Sequence, residues 1–142
     1  MSDKQIEKWI CPVCSRSFTK KNQSHSCELY SIKDHHLKKA NPDIILIFNH
    51  LIDEVQKFGS ILFLEPLKHI IALKKNSQFC SIQVQKRALK IIFRSYTLFS
   101  SNRFIVMSQQ KDERYYYQVK IQNLNEIDAE FVNWLHQAYT EN

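Results

Sequence analysis

The sequence predicts an α+β protein in which an N-terminal zinc knuckle precedes an antiparallel β-sheet of five or six strands packed on two helices. Three observations predict this class: a cysteine and histidine cluster near the start, two segments with an apolar period near 3.6, and period-two segments between them. The polar connections between those segments are short, which favours hairpins, because a parallel crossover needs a dozen residues or more. We expect two units, a zinc knuckle over 1–33 and an α/β domain over 34–142.

Composition excludes several classes of protein. The chain has 142 residues, of which 44% are hydrophobic, so it is long and apolar enough to bury a core. Its single glycine, Gly59, excludes a Walker loop and a glycine-rich dinucleotide turn, which need several glycines. The longest apolar run, residues 44–48, is far shorter than the roughly 20 residues of a membrane helix. The first residues also lack the apolar stretch of a secretory signal. We therefore expect a cytoplasmic protein that has no membrane partner.

The cysteine cluster comes first along the chain. Cys11 and Cys14 form a Cys-x-x-Cys pair, and His25 and Cys27 follow in the same segment. A tight Cys-x-x-Cys turn brings two thiolates to a zinc-binding separation, and a second pair completes a tetrahedron. We predict a structural zinc ion bound by Cys11, Cys14, His25 and Cys27. Four protein ligands leave no open position for water, so the ion would stabilise the fold rather than catalyse a reaction.

Other uses of these side chains stay open at this point. A disulfide is one alternative, although clustered cysteines beside a histidine in a cytoplasmic chain fit a metal better. A redox Cys-x-x-Cys is another, and it would leave His25 and Cys27 without a role. Four residues, His25, Cys27, His35 and His36, compete for the two ligand positions that Cys11 and Cys14 leave. The fourth cysteine, Cys80, lies in an alternating segment and is expected to be a buried structural thiol.

Two segments have the start signals of helices. Asn41 is a suitable N-cap and Pro42 a suitable first residue for a helix whose apolar stripe continues to residue 58. Gly59 follows, where we expect a left-handed C-cap. The second helix is predicted from about residue 126 to 139, with Asn125 as its cap.

Six segments alternate in polarity and are predicted as strands. They are 61–64, 70–74, 79–85, 88–94, 104–108 and 115–121. We expect both helices to cover one face of the sheet. Alternation then places Lys90, Arg94, Tyr116 and Lys120 on the other face. Cations beside a tyrosine can pair with phosphates and stack on bases, although an ordinary solvated sheet face has similar residues.

The charge is unevenly distributed along the chain. Residues 43–65 have one Lys against four acids, residues 66–122 have eleven Lys or Arg against two acids, and residues 123–142 have four acids and no Lys or Arg. A basic middle with acidic flanks attracts anionic partners. We therefore expect a binding module, stabilised by zinc, whose basic sheet face engages nucleic acid or another anionic ligand.

A second hypothesis is a small-molecule or protein-binding domain. It would use a pocket between the sheet and the helices near Asp34, His35 and Lys68, where polar groups converge. We do not expect an enzyme. The adjacent side chains of Asp34 and His35 seldom point the same way in a regular element, so they make a poor acid–base pair.

Residues at both ends of the chain resemble a known family. The matching residues are Trp9, Cys11, Cys14, Phe18, the run at 22–27, Tyr30, Asp34, His35, Asp128, Phe131, Trp134, Leu135, Ala138 and Tyr139. They resemble an uncharacterised bacterial family, DUF5655, whose members join a short zinc knuckle to a small α/β domain of unknown function.

The resemblance has implications for the ligands and the partner. In the family the Asp-His element also occurs without the knuckle, which implies that His35 belongs to the α/β domain and favours His25 as the zinc ligand. Related domains lie beside restriction-type nucleases, which agrees with a nucleic-acid partner. A transport label carried by some members has no support in a sequence without a membrane span. The resemblance implies no activity.

Overall fold

The computed structural model describes residues 8–60 and 62–142. In these residues a two-stranded hairpin precedes a six-stranded antiparallel sheet and two α-helices, so the predicted α+β class is confirmed. The strands are β1 (Trp9–Ile10), β2 (Ser17–Phe18), β3 (Phe63–Pro66), β4 (Ile71–Lys74), β5 (Gln78–Val84), β6 (Leu89–Ser95), β7 (Val106–Gln109) and β8 (Tyr115–Ile121), and the helices are α1 (Pro42–Gln56) and α2 (Ala129–Thr140).

Helix α1 begins where the sequence predicts, at Pro42 after the N-cap Asn41. Proline suits this position because its fixed φ is helical and its missing N–H would have no partner in the first turn. The apolar residues at the helical period face inward and are buried. They are Ile44, Ile47, Phe48, Leu51 and Val55.

The predicted left-handed cap at Gly59 is wrong. Helix α1 is closed by Lys57 in the right-handed region, and its N–H donates to carbonyls in the preceding turn. Among the described residues no glycine has a positive φ. Glycine is needed at this position for a close approach instead, because a Cβ at Gly59 would collide with the hydroxyl of Tyr139 and lie 3.2 Å from its Cζ.

Helix α2 begins later than predicted, and the predicted cap at Asn125 is wrong. One turn of 3₁₀-helix, Leu124–Glu126, precedes it, and the Glu126 carboxylate accepts the N–H of Asn123 at 2.9 Å. That turn uses the residues where α2 was expected to start. The cap is Asp128, whose carboxylate accepts the N–H of Phe131 at 2.9 Å.

The sheet has the strand order β3-β4-β5-β6-β8-β7, with all neighbours antiparallel. Strands β3, β4, β5 and β6 form a meander, β8 pairs with β6, and β7 forms the outer edge beside β8. The strands agree with the six predicted segments to within a few residues. The largest difference is in β3, which covers Phe63–Pro66 rather than 61–64, and residue 61 lies outside the described residues.

Both helices pack on the same face of the sheet, as predicted. The inward residues of β6 and β8 meet the helices in one core cluster that is rich in aromatic rings. Phe93 lies at its centre and is stacked on Tyr117 at 4.9 Å and on Trp134 of α2 at 6.1 Å between centroids. Burial of these rings together with the surrounding aliphatic side chains stabilises the packing of the helices on the sheet.

The sheet face opposite the helices is called the open face. Its side chains alternate with the core residues along each strand and are Phe63, Glu65, Ala72, Lys74, Ser81, Gln83, Lys90, Ile92, Arg94, Val106, Ser108, Tyr116, Gln118 and Lys120. Residues 8–31, called the knuckle segment, contact the β3–β4 part of this face. The core cluster includes no residue of the knuckle segment. The predicted unit boundary between residues 33 and 34 stays a prediction.

Candidate functional site

The β1–β2 hairpin positions the first two cysteines. Trp9 pairs with Phe18, and the N–H of Cys11 donates to the carbonyl of Arg16 at 2.9 Å. The N–H of Ser15 then donates to the carbonyl of Cys11 at 2.9 Å, and Ser15 has a φ of 61°. The chain therefore reverses sharply between the two strands, and this tight turn holds the thiols of the Cys-x-x-Cys pair side by side.

The second pair of donors comes from an irregular segment. His25 Nδ1 donates to the carbonyl of Gln23 at 2.6 Å, which leaves Nε2 free to act as a ligand. Its ring packs on Phe18 at 4.3 Å between centroids. His25 Nε2 lies 3.4 Å from Cys14 Sγ and 3.5 Å from Cys27 Sγ.

The four predicted ligands are the residues that the structure brings together. Their ligand atoms all lie within 4.8 Å of one another, and Cys11 Sγ lies 3.7 Å from Cys27 Sγ. A disulfide needs an S–S distance of about 2.05 Å, and all four cysteines are free. A tetrahedral ion with Zn–S of about 2.3 Å and Zn–N of about 2.0–2.1 Å has S–S edges of about 3.8 Å and S–N edges of about 3.6 Å. The donor set and its spacing therefore fit a metal ion.

The local environment perturbs the acid–base properties of these donors. The backbone N–H of Cys14 lowers the pKa of the Cys11 thiol to about 6. Burial, followed by the hydrogen bond to Cys11, raises the pKa of the Cys27 thiol to about 11. The carbonyl of Gln23 raises the pKa of His25. A bound metal ion would displace protons from the thiols and from a protonated His25, because thiolate and neutral imidazole are the forms that bind metal.

The other two candidate ligands, His35 and His36, lie outside the cluster of four donors. His35 Nε2 is 2.8 Å from the carbonyl of Lys68, and its ring packs on Tyr30 at 4.4 Å. His36 is 8% exposed, and burial lowers its pKa. Both lie in a single π-helical turn, Ile32–His36, at the start of the α/β part.

A buried ion cluster connects the knuckle segment to the sheet. Arg16 Nη2 lies 2.7 Å from Glu65 Oε1, and Lys74 Nζ lies 3.0 Å from Glu65 Oε2. The three side chains are only 9–11% exposed. The sequence does not indicate this cluster, because nothing local links an arginine after a turn to a glutamate 49 residues further along. The only local signal is an acid within a short apolar strand.

The predicted basic residues lie together on the open face. Lys90 is directly opposite Lys120, and Arg94 is directly opposite Tyr116. Residues in register on neighbouring antiparallel strands share a face, with Cβ atoms about 4.5–5.5 Å apart. In the described chain no carboxylate forms an ion pair with Lys90, Arg94 or Lys120.

The two layers of the α/β part differ in charge. Helices α1 and α2, with the cap of α2, carry five acids and no Lys or Arg. The open face carries one acid, Glu65, which is already paired. Three of the five helix-side acids are paired as well, Glu54 with Lys57 and both Asp128 and Glu130 with Arg103.

The second hypothesis placed a pocket between the sheet and the helices near Asp34, His35 and Lys68. A cavity of about 410 Å³ includes Lys68, together with Tyr30 and His69, in its lining. It lies between the knuckle segment and the β3–β4 connection, and Asp34 and His35 are not among its lining residues. It is therefore not the pocket that the sequence predicts.

Two further expectations concern burial and membranes. Cys80 is buried in β5, as its alternation predicts, and burial raises its pKa. Neither helix of the described residues combines the length and the apolar character that are needed to cross a bilayer.

Comparison with known proteins adds the family. Searches of curated proteins and of solved structures find no match to this chain. A family model described as "Domain of unknown function (DUF5655)" matches residues 32–142, which is more than half of the chain. The matched region contains the six-stranded sheet and both helices, whereas the Cys/His cluster precedes it. The chain therefore belongs to the DUF5655 family, with a Cys₃His cluster that could hold a metal ion in front of the family domain.

Proposed function

We propose that this protein is a non-catalytic nucleic-acid-binding module in which a structural zinc ion holds the knuckle segment. Three thiolates and one imidazole are a donor set typical of structural zinc, and the set leaves no position for a catalytic water. Four free cysteines suit a reducing compartment, so we place the protein in the cytoplasm.

The observation that carries the nucleic-acid proposal is the pairing of Lys90 with Lys120 and of Arg94 with Tyr116 on the open face. Lys90 and Arg94 are four residues apart, which is about 13 Å along a strand, and β6 and β8 are about 4.8 Å apart. Three cations without carboxylate partners can follow a phosphate backbone, while a tyrosine ring among them offers a surface for a base. A sheet face with an aromatic side chain favours single strands, whose bases are free to stack.

The experiment is a titration of a labelled, unstructured oligonucleotide at 50 and 200 mM salt, followed by fluorescence anisotropy. Each phosphate contact on a single strand contributes about −0.7 to the slope of log K against log salt, so three cations predict a slope near −2. Affinity should therefore fall roughly 20-fold over this range. Affinity that does not depend on salt would contradict the proposal.

Charge reversal on the open face tests the location. Lys90→Glu and Lys120→Glu should each weaken binding and make the salt slope shallower, by at least the contribution of one contact. Lys57→Glu is the matched control, because Lys57 pairs with Glu54 at the end of α1 and lies away from the open face. Equal weakening by all three variants would show that only net charge matters. Tyr116→Phe should retain binding, whereas Tyr116→Ala should weaken it by about 1–3 kcal/mol if a base stacks there.

The second candidate function is small-molecule binding in the cavity of about 410 Å³. Its support is the position of the cavity between two units of the chain, where ligand sites often occur, and the presence of Tyr30, Lys68 and His69 in its lining. A thermal-shift screen with anionic metabolites tests it, with Lys68→Ala as the variant that should abolish any shift.

A further inference from the structure

Arg16 makes contacts with both halves of the metal site. Its carbonyl accepts the N–H of Cys11 at 2.9 Å, within the hairpin that carries the first two cysteines. Its Nη1 donates to the carbonyl of Ser26 at 2.8 Å, and Ser26 stands between the ligands His25 and Cys27. Arg16 therefore joins the two segments that must meet at the ion, through its backbone on one side and its guanidinium on the other.

The sheet holds Arg16 in place. Arg16 Nε donates to Glu65 Oε1 at 2.8 Å, and Lys74 Nζ contacts the other carboxylate oxygen at 3.0 Å. Lys74 Nζ also donates to the carbonyl of Ser17 at 3.0 Å. Arg16 and Lys74 both lie over the ring of Phe18, at 5.0 and 4.8 Å from its centroid. Arg16 is thus fixed by groups on β3 and β4 that lie outside the metal site.

We propose that Arg16 is a positioning residue for the metal site and that Glu65 and Lys74 hold it, so that the metal affinity of the knuckle segment depends on its docking to the sheet. This inference rests on the proposed zinc binding. His25 and Cys27 lie in an irregular segment. Without Arg16, metal binding would have to order this segment, and the conformational entropy lost on ordering would make the net free energy of metal binding less favourable. Partners in the outer shell of a metal site typically change metal affinity by 10- to 100-fold.

The test compares zinc affinity between the wild-type chain and Arg16→Lys, by competition with a chromophoric chelator. Lysine keeps the positive charge, but a single ammonium cannot reproduce three separate guanidinium contacts with Glu65 and Ser26. We expect the dissociation constant for Zn²⁺ to rise 10- to 100-fold and zinc to transfer to excess chelator faster. Glu65→Gln, which leaves Arg16 in the chain but removes its anchor, should change both quantities in the same direction.

Arg103→Lys is the matched control. Arg103, in the loop between β6 and β7, also donates to carboxylates, on Asp128 and Glu130, and to a backbone carbonyl, on Glu126, but these partners lie at the start of α2. The same substitution there should lower stability and leave zinc affinity within two-fold of the wild type. This comparison separates loss of an arginine with several carboxylate and carbonyl contacts in general from loss of positioning at the metal site.

Cobalt spectra give a readout that a merely structural role would not change. With Co²⁺ bound, Arg16→Lys should retain the thiolate charge-transfer bands, since all four ligands are present, but its tetrahedral d–d bands should be weaker or shifted. Zinc affinity within two-fold of wild type in both Arg16→Lys and Glu65→Gln would overturn the inference while leaving the zinc site intact. Absence of stoichiometric zinc binding by the wild-type chain would instead overturn the proposed function, so the two failures are distinguishable.

Discussion

Removing the metal should release the knuckle segment while the sheet and helices stay folded. The core cluster contains no residue of the knuckle segment, so the packing that stabilises the α/β part does not depend on the ion. The turn that holds the first two ligands is closed by two backbone hydrogen bonds, from Cys11 to Arg16 and from Ser15 to Cys11. Each such bond contributes only about 0.5–1.5 kcal/mol net, which is too little to maintain the turn alone.

The size of the effect follows from linkage. At a free metal concentration of 1,000 times Kd, binding stabilises the closed knuckle segment by about 4.1 kcal/mol. The equilibrium constant for its local opening is then lower by a factor of about 1,000. Amide hydrogen exchange measured with zinc and with excess chelator should therefore show protection at Cys11 and Ser15 falling by up to this factor. The amides of β6 and β8 should change by no more than a few-fold, because their partners are in the sheet.

Two variants check the origin of the effect. Cys14→Ser removes a ligand and should reproduce the chelated exchange pattern even when zinc is present. Cys80→Ser changes a buried cysteine that does not belong to the cluster and should leave the response to the chelator unchanged. If chelation removed protection from β6 and β8 together with the hairpin, the knuckle segment would be part of the cooperative core and the reasoning would be refuted.

Three further predictions concern the α/β part. Phe93→Ala should lower the free energy of unfolding by about 3–5 kcal/mol in urea melts, because the ring is fully buried in the aromatic cluster. Phe63→Ala is the control: its position is 52% exposed, so the free energy of unfolding should change by about 0.5 kcal/mol or less. Gly59→Ala should cost about 1–3 kcal/mol through the clash with Tyr139, and Tyr139→Phe should relieve part of that cost by removing the hydroxyl. Burial lowers the pKa of His36 below its ordinary 6.5, so its contribution to stability is present above pH 6.5 and is lost as the pH falls towards its folded-state pKa. His36→Leu should make the urea midpoint less dependent on pH between 8 and 5, and equal slopes in variant and wild type would contradict this assignment.

Much of the molecule could be predicted from local patterns. The period-two segments and the helical stripe of α1 gave nearly correct elements, since alternation and the 3.6 period record which side of each element is buried. The Cys-x-x-Cys pair and the nearby histidine and cysteine predicted the cluster, because all four donors lie within 17 residues. Lys90, Arg94, Tyr116 and Lys120 were placed on one face correctly because alternation along each strand needs no knowledge of the partner strand.

The remaining features depend on residues that are distant in sequence. The use of Gly59 is decided by its close approach to Tyr139, in the last helix. The start of α2 is instead a local feature that the apolar stripe does not show, since a 3₁₀ turn precedes the helix and Asp128 is its cap.

The sequence by itself therefore predicted the α+β class, most of the helix and strand positions, and the Cys₃His cluster. Only the tertiary structure decided that the knuckle segment docks on the open face through Arg16, Glu65 and Lys74. The physical reason is separation along the sequence. Hydrophobic periodicity and ligand spacing relate residues that are near each other in the chain, whereas an ion cluster forms between charged residues that only the fold brings together.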